Sequence, residues 1–349
     1  MRSRMRRRKK GLIALVLAVC AAGLSITAIW LTLRLPEGTA MRVGRDPVSY
    51  DLVYFYSRYI QQQMKEALGD KYTDDFWQQT MNSKGKVYGS DLKQTAQRDL
   101  IELYMVRQHA GTYGVALTPE EQEEISRRAL QYTESLGDEL KGRMYAQVYT
   151  IEEFLSLIRL EQKAYEPIVD TLPVEVSDEE CAQKRYSYVF FQNHSDSVDE
   201  FGNTKLLSEP ELKLLKIQAE NVRERASETG DFEAAAKECG RRVEFQTFGR
   251  GDQLHRELLE ALAALKPGEY GPVVETVVGY YVIRLDSECD RDATEEKKKW
   301  LLERKRKEAY SQLLKVWRDE TFVRSDKRMW DLFDMELPPD ALLPDIEDW

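Results

Sequence analysis

The side chains that most often carry chemistry are few and scattered in this chain. Its three histidines, His109, His194 and His255, show none of the spacings at which imidazoles share a metal ion, and all three are expected at the surface. Of four cysteines, Cys20 stands inside a long apolar run. The other three, Cys181, Cys239 and Cys289, are too sparse and odd in number for a disulfide framework. No metal and no cofactor is expected. The pattern that remains lies in four ordered segments: Tyr186-Ser187-Tyr188-Val189-Phe190, FGRGD over residues 248–252, ALKPGEYGPVVET over 264–276, and GYYVIRL over 279–285.

Together these segments resemble the parvulin type of peptidyl-prolyl isomerase over residues 183–287. That family begins its first strand Ser-His, carries an Ala-Leu-Lys-Pro-Gly-Glu run, and closes Gly-Tyr-His. The resemblance implies two histidines on neighbouring central strands, hydrogen-bonded beneath a proline pocket. Here both positions are tyrosine, Tyr188 and Tyr281. It places the pocket-lining methionine and phenylalanine on Leu254 and Leu258, with a one-residue insertion around Gly251-Asp252, and a further aromatic position on Ala263. Phe248 completes the implied substrate-binding set. Cys239 is the nearest thing to the polar group expected at the target carbonyl; a buried structural cysteine is the competing reading.

Prolyl isomerisation demands little covalent chemistry. The barrier, about 20 kcal/mol, belongs to rotation about a partial double bond, and a catalyst lowers it by favouring the twisted amide. A phenol donates and accepts one hydrogen bond but does not change charge near neutral pH. The tyrosines are therefore either a rebuilt hydrogen-bonding site or sheet aromatics in a decayed cleft. If Tyr188 and Tyr281 pair directly across antiparallel strands, paired positions sum to about 469 and Cys181 falls near Cys289. A capping box at Ser177 argues against that disulfide by starting a helix there.

The elements that must position these residues form an α+β fold. A helical region is expected over 45–182, after a spacer at 36–44 containing Pro36, Gly38 and Gly44. Leu92, Ala96, Leu100, Leu103 and Tyr104 recur at helical spacing as one apolar face. Thr118, Thr150 and Ser177, each with glutamate three residues on, read as helix caps. Residues 183–287 read as a small antiparallel sheet with flanking helices. Residues 292–335 return to helix, with Tyr310, Leu313, Leu314 and Trp317 as a stripe expected to pack on 45–182. Residues 336–349, with Pro338, Pro339, Pro344 and several acids, are expected to be a disordered tail. The helical part is similar in pattern to the chaperone domain of SurA- and PrsA-type foldases, in which an isomerase module is inserted.

Charge and hydropathy give the setting. Residues 2–10 hold seven positive charges, and residues 11–33 hold none of either sign. Such a run reaches about 35 Å as a helix, enough to span a bilayer with its basic flank inside. An uncleaved signal anchor at 11–33, after a basic cytoplasmic tail at 1–10, is the leading expectation. Alternatives are cleavage, or a lipoprotein at Cys20, where bulky Val19 fits poorly. Beyond residue 34 the chain has 43 basic and 61 acidic side chains, net −18. That argues against a nucleic-acid partner, which wants a basic face. The resemblance implies a membrane-anchored foldase or chaperone for unfolded or proline-containing exported polypeptides. The competing functions are an active isomerase with a Tyr/Tyr site and a scaffold in a membrane assembly.

Overall fold

The computed structural model describes residues 35–198, 204–338 and 342–346. The expected basic tail and membrane anchor, 1–10 and 11–33, lie outside them. Among the described residues no helix is long and apolar enough to cross a membrane.

The described residues open with strands β1 (Thr39–Val43) and β2 (Asp46–Ser49). Ser49 then caps α1 (Tyr50–Leu68), its hydroxyl accepting from the Leu52 amide at 3.1 Å. α2 (Tyr88–Ala110) follows, then α3 (Pro119–Ser135), α4 (Asp138–Met144), α5 (Val148–Val169) and the single turn α6 (Asp178–Cys181). Next come β3 (Gln183–Gln192), the hairpin β4 (His194–Val198) and β5 (Thr204–Leu206), α7 (Glu209–Thr229) and α8 (Phe232–Glu238). β6 (Glu244–Gly249), α9 (Arg256–Ala263), β7 (Val274–Thr276) and β8 (Gly279–Ser287) complete the second sheet. The long helix α10 (Arg291–Glu320) and strand β9 (Val323–Ser325) are the last regular elements among the described residues.

Two compact units result: the described parts of Met1–Leu172 with Ala309–Trp349, and Pro173–Glu308. In the first, the α2 face of Leu92, Ala96, Leu100, Leu103 and Tyr104 is buried against α1 and α5. The expected spacer at 36–44 is instead strand β1, the centre of a three-stranded sheet ordered β2-β1-β9. Met41 pairs with Ser325 and Val43 with Val323, a pairing that no local signal at either end announces. Thr118 caps α3 with a reciprocal box to Glu121, as the sequence suggests. Thr150 does not cap α5. The Gln147 carbonyl already accepts from the amides of Thr150 and Ile151, so the helix starts earlier and Thr150 lies buried in its first turn.

The C-terminal expectations need two corrections. α10 is divided between the units: Ala309 onward belongs to the first, where Tyr310 and Trp317 enter the core, whereas 291–308 belongs to the second. There the Thr294 hydroxyl accepts from the Gln183 amide at 3.1 Å and Lys297 pairs with Asp252 at 2.5 Å. The expected disordered tail also carries packed residues. Leu337 is buried, and Leu343 and Ile346 pack on the first unit's core. His109 is likewise more than a surface residue, since its ring stacks on Trp317 at 4.1 Å.

The second unit is built on an antiparallel sheet ordered β6-β3-β8-β7. Alternation along each strand sends side chains to two faces. Val189, Phe191, Tyr280 and Val282 go to one, under α7 (Leu215, Ala219, Val222, Ala226) and α8 (Phe232, Ala235, Ala236). Tyr186, Phe248, Val274, Ile283 and Leu285 go to the other, under Leu258 and Leu262 of α9. The β7–β8 turn needs Gly279, whose φ is 149° and where a Cβ would meet the Phe191 carbonyl oxygen at 2.1 Å.

Candidate functional site

The site residues follow from register. β3 and β8 pair with Tyr188 opposite Ile283 and Phe190 opposite Tyr281. Tyr188 and Tyr281 are thus diagonal neighbours on one face, two residues off the direct pairing expected from sequence. Cys181 ends helix α6 and does not extend β3, so the strand pairing does not reach it, and both cysteines are free. Cys181 is buried at the end of α6, and Cys289 is exposed beyond β8.

The tyrosine rings lie 5.6 Å apart, tilted by 50°. Tyr281 packs more closely on Phe190, at 4.6 Å, and Tyr188 on Tyr186, at 5.5 Å. Four aromatic rings thereby line one stripe of the β3–β8 face, an arrangement that cross-strand and same-face contacts favour. The hydroxyls of Tyr186 and Tyr188 turn toward β6. Tyr188 donates to Glu244 Oε2 at 3.0 Å, and Tyr186 donates to Gln246 Oε1 at 2.9 Å. Arg242 Nε donates to the other Glu244 oxygen at 2.8 Å.

The electrostatics follow. Burial, with the hydrogen bond to ionised Glu244 and its charge adding to it, pushes the Tyr188 phenol up to about 12. Burial and the Glu244 charge raise Tyr281 as well. The hydrogen bonds from Tyr188 and Arg242 hold the Glu244 carboxyl below its usual range. Both tyrosines therefore remain neutral at physiological pH, and Glu244 remains charged.

Above the stripe lies a cavity of about 390 Å³ lined by Tyr186, Tyr188, Gln246, Gln253, Leu254, His255, Leu258 and Tyr281. Of the expected residues, the fold brings Tyr188, Tyr281, Leu254 and Leu258 to this wall. Phe248 lies behind it, buried edge-on against Tyr186 at 5.5 Å and 82°. Ala263 does not join them; it is exposed at the last turn of α9, where Leu262 takes the buried position. Cys239 packs against the cluster on the opposite face of the sheet, so it has no access to the tyrosine pair. Tyr186, Gln246, Gln253 and His255 escaped the sequence reading. Tyr186 was legible, since it shares the face of Tyr188 two residues away. Gln246 was not, because its side is set by the pairing of β6 with β3. Among the described residues no cluster of histidine, cysteine and carboxylate groups is placed to hold a metal ion.

No protein-family model and no curated protein matches this sequence. Solved structures do show similarity. One is from a Campylobacter jejuni study of two structurally related SurA-like chaperones, at 12% identity and a TM-score of 0.29 over 83% of this chain and 100% of that one. Another is PrsA from Bacillus subtilis, at 19% identity and a TM-score of 0.25 over 73% and 96%. A third is the peptidylprolyl isomerase PrsA from Bacillus cereus, at 15% identity and a TM-score of 0.26 over 75% and 100%. Scores this low carry neither fold nor activity across to this chain.

Proposed function

We propose that this chain is a membrane-anchored extracytoplasmic chaperone for exported, unfolded polypeptides, whose parvulin-like module binds client segments with weak or no prolyl isomerisation. Residues 11–33 supply the anchor in this reading. The helical unit supplies apolar holding surface, and the tyrosine cavity receives a small apolar or proline side chain.

The observation that supports weak catalysis is the direction of the Tyr188 hydroxyl. In the resembled family the two central side chains hydrogen-bond to one another beneath the pocket. Here Tyr188 is committed to Glu244, and Tyr281 is held by ring packing on Phe190. A phenol tied to a fixed carboxylate offers no added interaction to a twisting amide. Catalysis requires contacts stronger in the transition state than in the ground state. Loss of one such contact costs about 100- to 1,000-fold in rate. The leucines at 254 and 258 keep the wall apolar but provide no ring to stack on proline.

The test compares the full chain with Tyr188→His plus Tyr281→His in two assays, proline-limited isomerisation of a short peptide and suppression of client aggregation. Wild-type isomerisation should be near background, and aggregation suppression should not change with the pair. Wild-type turnover that Tyr281→Phe abolishes would instead establish a working rebuilt site. Retention of the chain in alkaline-washed membranes, with an unchanged N-terminus, checks the anchor; release with a new terminus near residue 35 refutes it.

A further inference from the structure

In the first unit, residues 329–338 and 342–346 run without regular secondary structure over a track of side chains from three helices. On α1, Tyr50, Tyr54, Arg58 and Gln61 fall four, four and three residues apart, a single helical stripe. Tyr54 donates to the Met329 carbonyl and Gln61 to the Met335 carbonyl, at 2.8 Å for the latter. On α3, Tyr132 donates to the Leu342 carbonyl at 2.7 Å, and on α5 Gln162 donates to the Ile346 carbonyl at 3.4 Å. These donors reach main-chain oxygens, which every polypeptide presents. Side-chain contacts are of two kinds. Met329, Phe333 and Leu337 are only 2%, 6% and 9% exposed, entering the apolar core. The Arg58 guanidinium, itself 2% exposed, lies 4.7 Å over the Phe333 ring.

Among the described residues of the track, Arg58 has no carboxylate at salt-bridge distance. Its Nε donates to the Arg143 carbonyl at 3.2 Å and its Nη1 to Gln61 Oε1 at 2.8 Å; burial lowers its pKa, opposed by Tyr145, Asp334 and Glu336. Arg128, one turn before Tyr132, pairs with Glu124 at 2.6 Å and also faces Asp345 at 3.9 Å. The track thus combines donors for backbone carbonyls, pockets for large apolar side chains, and cations for flanking acids. Those are the features that recognise an extended chain by its backbone rather than by a fixed sequence.

We propose that this track is a binding surface for extended polypeptide, occupied here by the chain's own residues 329–338 and 342–346. An unfolded client bearing an aromatic residue flanked by carboxylates takes their place. The inference rests on the chaperone reading above and adds to it the location and chemistry of client capture. The covering segment lowers apparent client affinity in proportion to the fraction of time that it occupies the track.

Hydrogen exchange on the full chain, with and without saturating reduced, carboxymethylated α-lactalbumin as a permanently unfolded probe, reads the exchange of occupants. Probe binding should speed exchange at residues 329–338 at least about fivefold and leave β3 and β8 unchanged. Phe333→Ala should raise apparent probe affinity about tenfold. Asp334→Asn with Glu336→Gln, at exposed positions, should raise it about two- to threefold and serves if Phe333→Ala unfolds the unit. If the probe binds all variants equally and residues 329–338 stay protected, the track is not the capture site, while the chaperone reading stands. Binding only by the loosened variants supports the inference, with the wild-type track fully covered. Binding by none overturns both readings.

Discussion

The two faces of the second unit's sheet are made by alternate residues of the same strands, yet they are opposite in kind. Beneath α7 and α8, Val189, Phe191 and Val282 are sealed under Leu215, Val222, Phe232 and four alanines. Beneath α9, Tyr186, Tyr188 and Tyr281 leave a cavity, and the first two direct their hydroxyls to polar groups on β6. The closed face contributes stability, at roughly 1.5–3 kcal/mol for each large apolar side chain fully buried. The open face forgoes part of that burial and keeps aromatic surface accessible. The contrast follows from the covering helices: α9 has eight residues, whereas α7 has 21 and is joined by α8.

Substitutions can break this contrast. Phe191→Ala on the closed face should cost the most, about 3–5 kcal/mol, because α7 and α8 cannot collapse into the space. Chemical denaturation should show it as a lowered midpoint; a loss below about 1 kcal/mol would mean the face is not tightly packed. Gly279→Ala should cost about 2–4 kcal/mol, since the added methyl collides with the Phe191 carbonyl and the φ is unfavourable for alanine. The same melt would report it, with β3–β8 amides losing exchange protection.

The open face should respond far less. Tyr188→Phe removes one hydrogen bond to a charged acceptor and should cost about 1–2 kcal/mol. Tyr281→Phe should fall within about 0.5 kcal/mol of wild type, since its ring packing is kept. Reversal of that order would show that the Tyr281 hydroxyl has a stronger partner than the Tyr188 hydroxyl has in Glu244. A further effect is on pH dependence. The folded state holds the Tyr188 proton more tightly than the unfolded chain, whose phenols titrate near 10. That contribution is fully present below about pH 10 and is lost as pH rises toward about 12. Stability measured across this window should fall less steeply in Tyr188→Phe; an unchanged slope would remove Tyr188 as its source.

Much of the architecture could be read locally. Alternation along residues 186–191 and 280–285 marks strands whose two sides differ, and it puts Tyr186 and Tyr188 on one face without any knowledge of the partner strand. Helical spacing from Leu92 to Tyr104 defines a buried stripe, and Thr118 and Ser177 cap helices through contacts three residues long. These features depend on φ, ψ and neighbours within a turn, so a sequence window contains their causes.

Tertiary structure decided whatever depends on distant partners. The two-residue difference in β3–β8 register changed the direct partner of Tyr281 from Tyr188 to Phe190, because face alternation is satisfied equally by either pairing. The direction of the Tyr188 hydroxyl waited on β6, and the exclusion of Ala263 waited on the rotation of α9 that buries Leu262. β1 could not be distinguished from a spacer until β9 lay beside it. The acidic, proline-bearing C-terminal segment reads as disordered because its own residues cannot bury one another. It is ordered where Tyr54, Gln61, Tyr132 and Gln162 meet its carbonyls, and those donors come from helices about 180 to 275 residues earlier in the chain.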